Sequence, residues 1–192
     1  MGSPGSRDAV VACQAVRAAV GPDMRLMVDT GGRHNFTEAV RLGRAPEELD
    51  FFWFEDPLAE DDIYNYTEPR EKLTIPLMAT KYSPGGFYSY PIWISSKTTD
   101  YLRGDVAVKD GLTGILKAAG LADAFRMNFE IHHGNSLNNI AQIHAALSIV
   151  NTGLFEVFLP SEAQQYGILD DLVVDSDGYI NSHPQAGPRC RD

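Results

Sequence analysis

Six short apolar, β-branched or aromatic runs punctuate the chain. They are Leu26–Val28, Phe51–Phe54, Ile75–Met78, Val106–Val108, Met127–Ile131 and Leu154–Phe158. Most are continuously apolar and bounded by turn residues, as strands buried on both faces of a parallel sheet are. Helical spacing fills the gaps. Val10, Cys13, Val16 and Val20 share one face, and Gly21-Pro22 ends that run. Thr37–Leu49 reads as a helix with a break near Pro46, and Asp61–Leu73 as one interrupted by Pro69. Thr113–Phe125 is rich in Ala and Leu, and Leu137, Ile140, His144 and Leu147 form a further stripe. Pro84–Tyr90 reads as a Gly-rich aromatic loop that either touches substrate or is a plain surface turn. Leu172–Ile180 predicts a small β-hairpin turning at Asp177-Gly178.

Strict alternation of helix and strand predicts right-handed βαβ units and an α/β fold, either an open doubly wound sheet or a barrel. No Gly-x-Gly-x-x-Gly follows the first strand and no Gly-x-x-x-x-Gly-Lys-Ser/Thr occurs, so a nucleotide-binding open sheet has no support. Residues 1–7 read as a disordered start, 8–180 as one domain and 181–192 as a loose tail.

Charge then narrows the partners. The net charge is −10, with 26 acidic against 16 basic residues, and the basic ones do not cluster. A polyanion such as nucleic acid is a poor partner for such a chain. No apolar run is long enough to cross a membrane, and the first residues lack the apolar stretch of a secretory signal. Cys13 and Cys190 allow at most one long-range disulfide. A reducing, cytoplasmic setting is the expectation.

Ionisable residues recur where the strands end. Asp29, Glu55 and Lys81 follow one another at intervals of 26 residues, Asp105 and Lys109 bracket the fourth run, His132 and His133 end the fifth, and Glu156 lies within the sixth. In an α/β barrel such positions converge on the mouth that carries the active site. Each alone has a plainer role: Asp29 as a helix cap or solvated loop group, His133 as a cap for the next helix, Lys109 as a partner of Asp110. Two carboxylates at one level repel unless a cation separates them, and oxygen ligands suit Mg2+. His144, His34 and His183 carry no comparable signal.

Five segments occur in order: Val28-Asp29, Trp53-Phe-Glu-Asp-Pro57, Ile75-Pro-Leu-Met-Ala79, Asp105 followed by Gly111-Leu-Thr113, and Ile131-His-His-Gly-Asn135. Together they resemble the barrel domain of the enolase superfamily, in the mandelate racemase/muconate-lactonizing branch that includes acid-sugar dehydratases. The resemblance implies a TIM-type (β/α)8 barrel, here partial or modified. It also implies abstraction of a proton α to the carboxylate of a small hydroxy acid, with the enediolate held by Mg2+. By position Asp29 and Glu55 resemble two metal ligands and His133, or else His132, the base oriented by Asp105. Lys109 is a further acid/base candidate. Lys81, Tyr82 and Asn135 fall at substrate-binding positions.

The chain also departs from that pattern. Lys81 stands where a third metal carboxylate is expected, and a protonated lysine has no lone pair to offer. It either lies as a cation between Asp29 and Glu55 or points outward. The family's lysine pair and N-terminal capping domain have no counterpart, and its Gly-Gly turn reads Asp110-Gly111. A closed barrel takes about 250 residues, whereas 192 residues supply about six βα units. The expectation is a truncated member that is impaired in catalysis, or an inactive one serving in binding or assembly. Its open sheet edges would be covered by self-association or by a partner chain.

Overall fold

The computed structural model describes residues 6–159 and 172–181. Cys190 and His183, and the tail from residue 182, lie outside the described residues, as does the start up to residue 5. Two compact units divide the chain. The first runs to Pro84 and includes Pro91–Tyr101; the second holds Gly85–Tyr90 and the residues from Leu102 onward.

The first unit alternates α1 (Ser6–Val20), β1 (Met27–Asp29), α2 (Phe36–Glu48), β2 (Trp53–Glu55), α3 (Ile63–Lys72) and β3 (Leu77–Ala79). The strands are parallel: Met27, Val28 and Asp29 face Trp53, Phe54 and Glu55, and Phe54 and Glu55 face Leu77 and Met78. Strands β2 and β3 are buried at every residue, which is why they read as unbroken apolar runs. Asn35 starts α2 with a reciprocal capping box to Glu38. Pro46 and Pro69 do not break their helices. Each lies near its helix C-terminus, so the one ladder bond that its missing amide forfeits interrupts only the last turn, and its carbonyl still accepts from Phe51 or Leu73.

Leu42, Phe54, Leu73, Ile75 and Leu77 form the core of this unit with Cys13, whose burial raises its thiol pKa. Gly43 lets α2 approach that core: a Cβ there would meet a Leu73 methyl at 2.4 Å. The Arg17 guanidinium ties the end of α1 to the carbonyls of Leu49 and Asp50, each at 2.9 Å.

In the second unit, β4 (Tyr101–Gly104, from Leu102 on), α5 (Gly111–Ala124), β5 (Asn128–Ile131) and α6 (Ser136–Leu147) continue the alternation. Here the sequence reading needs two corrections. The fourth strand is Tyr101–Gly104, and Val106–Val108 is a turn. Arg103 disguised the strand, because a charged side chain is rarely buried without a partner; this one is 3% exposed and paired with Glu156. Asp105 and Lys109 therefore both follow the strand.

The sixth run forms only a single parallel bridge, Ile131 to Phe155. Its preceding amides are claimed elsewhere: Gly153 and Leu154 donate to the buried Glu130 carboxylate, as does the Thr152 hydroxyl. The aromatic loop forms a 3-10 turn, Gly86–Ser89, which leads into helix α4 (Tyr90–Ser96). The hairpin is present as an antiparallel bridge between Val174 and Ile180.

Gly104 sits where β4 meets the Phe129 ring and Ile115, and a Cβ there would lie 2.5 Å from that ring. At the Asp110-Gly111 turn both residues are left-handed, φ 60° and 68°. Asp110 tolerates this and caps the 3-10 turn by accepting from the Phe87 amide at 2.7 Å.

Candidate active site

In the first unit, parallel register places Asp29 and Glu55 side by side at the ends of β1 and β2. Asp29 is exposed, accepts from the Gly31 amide at 2.7 Å, and lines a cleft of about 520 Å3 with Thr30, Arg33 and His34. Glu55 is buried. Two further carboxyls join them that sequence reasoning missed. Burial, then the charges of Glu60, Glu55 and Asp29, pushes the Asp56 carboxyl up to about 10. Glu60 in turn accepts from the amides of Thr80 and Tyr82 just after β3. The Glu-Asp-Pro sequence was the available signal for Asp56, since its second acid follows a buried strand.

Lys81 is buried, and its ammonium lies 4.6 Å over the exposed Tyr82 ring. Asp29, Glu55, Asp56 and Glu60 gather four carboxyls, and hard oxygen donors of this kind suit Mg2+. That ion is commonly held by one or two carboxylates together with waters and substrate oxygens. Asp29 and Glu55 fit that role; Lys81 offers no third oxygen.

In the second unit, Asp105 at the end of β4 and His132 at the end of β5 meet, with Asp105 Oδ2 3.1 Å from His132 Nδ1. Asp105 is further fixed by the Ala107 amide at 2.8 Å and Asn138 Nδ2 at 3.3 Å. Burial opposes its charge, but the hydrogen bond from His132 and those from Ala107 and Asn138 outweigh it, so its carboxyl ionises below the ordinary value. An ionised carboxylate only accepts, so Nδ1 is the donor in this pair, and the tautomer it selects has its lone pair on Nε2.

His133 is placed by other contacts. Its ring packs on Phe158, with centroids 5.0 Å apart, and its amide donates to Glu156 at 2.9 Å. Glu156 Oε2 lies 4.0 Å from His132 Nε2 and pairs with Arg103. Burial raises the Glu156 pKa, but Arg103 and the two histidines lower it further, and the net shift is downward. Glu156 was visible in sequence as the one charge in an apolar run, whereas Arg103 was hidden by the misplaced strand.

Lys109 is fully buried, donates to Ser89 Oγ at 3.1 Å and lies 5.2 Å over the Tyr90 ring. Asn135 is the exposed N-cap of α6, and its side chain makes no capping hydrogen bond.

Residues 1–188 match the family model described as enolase C-terminal domain-like. The chain belongs to this family. It is 32% identical over 151 residues to a D-mannonate dehydratase of Caulobacter sp. (strain K31), covering 74% of this chain and 36% of the relative. An arabinonate dehydratase of Saccharolobus solfataricus is 23% identical over 197 residues and 52% of its length. Among solved structures, D-glucarate dehydratase from Agrobacterium tumefaciens complexed with magnesium superposes with a TM-score of 0.85 and 31% identity. That match covers 96% of this chain and 48% of the other. The chain thus spans about a third to a half of these relatives' lengths. Among the described residues, no helix is long and apolar enough to cross a membrane.

Proposed function

We propose that this chain carries the proton-abstraction chemistry of the acid-sugar dehydratases and racemases to which it is similar. The observation that carries the reading is the Asp105–His132 contact. Asp105 fixes the tautomer that leaves Nε2 unprotonated and stabilises the imidazolium formed when Nε2 takes a proton α to a substrate carboxylate. In the first unit, taken by itself, Asp29 and Glu55 are assigned to Mg2+, which when bound would supply positive charge to an anionic ligand.

Other groups then have distinct duties. His133 packs beside the base and lends its amide to Glu156. Asn135, the exposed N-cap of α6, is available to substrate hydroxyls, and Tyr82 is exposed in the first unit. Lys109 is assigned to the packing around Ser89 and Tyr90 and not to proton transfer, because its burial keeps it from solvent and substrate.

The test is wash-out of the α-proton in D2O, followed by NMR, over a panel including mannonate, galactonate, arabinonate and glucarate with millimolar Mg2+. Exchange that disappears in His132→Ala supports the reading. Exchange that survives that change sinks it.

Lys81 favours a second reading, in which the fold is kept for binding or assembly and Mg2+ affinity is weak. No exchange with any sugar acid, together with no Mg2+-dependent rise in melting temperature, would decide for it. Under either reading we propose that the chain associates with copies of itself or with a partner, which sedimentation velocity would detect.

A further inference from the structure

His132, His133 and Glu156 form a constellation that the proton-transfer reading does not use as a set. Each offers one ligand atom, and the three atoms lie within 4.8 Å of one another. The two rings stack at 4.1 Å between centroids and 33°. Consecutive residues in a strand point to opposite faces, but these two follow the last residue of β5, where the backbone leaves the strand.

A zinc-type ion holds its donors at about 2.0–2.2 Å, so tetrahedral neighbours sit about 3.3 Å apart. His132 Nε2 and Glu156 Oε2 are already at 4.0 Å. Binding an ion requires the three atoms to draw together from within 4.8 Å.

Two independent features support it. The first is the carboxylate behind the ligand: a metal-binding imidazole characteristically donates its other N–H to a carboxylate, which fixes the ring and makes it a better donor. Asp105 does this for His132, and it is itself held by Ala107 and Asn138. The second is the anchoring of Glu156, whose Oε2 accepts from the His133 amide and pairs with Arg103.

Arg103 also sets the ion class. Its positive charge beside Glu156 disfavours a hard ion that binds by charge alone, as Mg2+ does. Imidazole nitrogens suit Zn2+, Co2+ or Ni2+, whose bonds to nitrogen do not depend on net negative charge.

We propose that His132, His133 and Glu156 bind one divalent transition-metal ion of the zinc class, a ligand set chemically distinct from the Asp29–Glu55 carboxylates. A consequence resting on the proposed function is that this ion inhibits, because it takes the Nε2 lone pair that the base requires.

The test uses the full chain, stripped with chelator, with Zn2+ titrated by calorimetry and Co2+ followed by its visible absorption. One equivalent is expected to bind, with cobalt bands of a low-coordinate nitrogen-containing site. His133→Ala and Glu156→Gln each remove a ligand outright and should weaken binding by more than about 100-fold, beyond the 10- to 100-fold cost of losing a partner behind a ligand. Asp29→Asn and His34→Ala should leave it unchanged. Melting curves of the apo variants check that each still folds. No saturable binding, or binding insensitive to both His133→Ala and Glu156→Gln, overturns the site. Binding without loss of α-proton exchange overturns only the inhibition, and a chain inactive in exchange can still pass the binding test.

Discussion

Asp105 Oδ2 and His132 Nδ1 lie 3.1 Å apart, joining the ends of two strands that are 27 positions apart in the chain. The contact holds the first of two adjacent histidines. His132 has its tautomer fixed, while His133 is turned toward Phe158.

Replacing Asp105 by Asn preserves the shape of the pair but offers an amide where a carboxylate accepted. The imidazolium loses its counter-charge and the tautomer is no longer enforced. Exchange of the substrate α-proton should fall by about 10²- to 10⁴-fold with the melting temperature little changed. A rate within threefold of wild type would mean that Asp105 has no part in the base.

Asp105 and Glu156 both ionise below their ordinary values in the fold. Their contribution to stability is present above the ordinary carboxylate pKa and is lost as pH falls through the depressed values. Denaturant midpoints should therefore decline steeply below about pH 4. His132→Ala removes a partner of each carboxylate and should flatten that decline.

Asp56 behaves in the opposite sense. Held protonated up to about 10, it retains in the fold a proton that the unfolded chain releases above about pH 4. Stability tied to that proton declines as pH rises from there to about 10. Asp56→Asn keeps a neutral group beside Glu60 and should gain about 1 kcal/mol or more at pH 9 relative to wild type, measured in chelator. An unchanged alkaline slope would show that Asp56 ionises normally.

Lys81→Glu tests the position where the family pattern expects a third carboxylate. Another negative charge near Asp56 and Glu60 should lower the melting temperature in chelator. Millimolar Mg2+ should then raise it by more than in wild type, since an ion at 100 times its Kd contributes about 2.7 kcal/mol. A loss of stability that Mg2+ does not restore would mean that Lys81 was itself balancing the acidic cluster.

Gly104→Ala should cost about 1–3 kcal/mol, because the new methyl meets the Phe129 ring and Ile115. Chemical denaturation checks it. A smaller second substitution, Ile115→Val, should recover part of the loss if the clash is the cause.

Much of this was legible in sequence. The alternation of apolar runs with helical stripes, and the acids and histidines at run ends, follow from local pattern: a buried parallel strand has to be apolar throughout, and its polar successor marks its end. That reading placed β1, β2, β3 and β5, and it marked Asp29, Glu55, Asp105 and His132. It failed at Tyr101–Gly104 and at Leu154–Phe158, and for one reason. Whether Arg103 can be buried depends on Glu156, 53 residues away, and whether Gly153 and Leu154 join a ladder depends on the Glu130 carboxylate. The choice of His132 over His133 as the partner of Asp105, and the gathering of Asp56 and Glu60 beside the expected metal ligands, were likewise decided by tertiary structure. Charge pairing and proton sharing are set by distances in space, and residue spacing along a chain does not encode them.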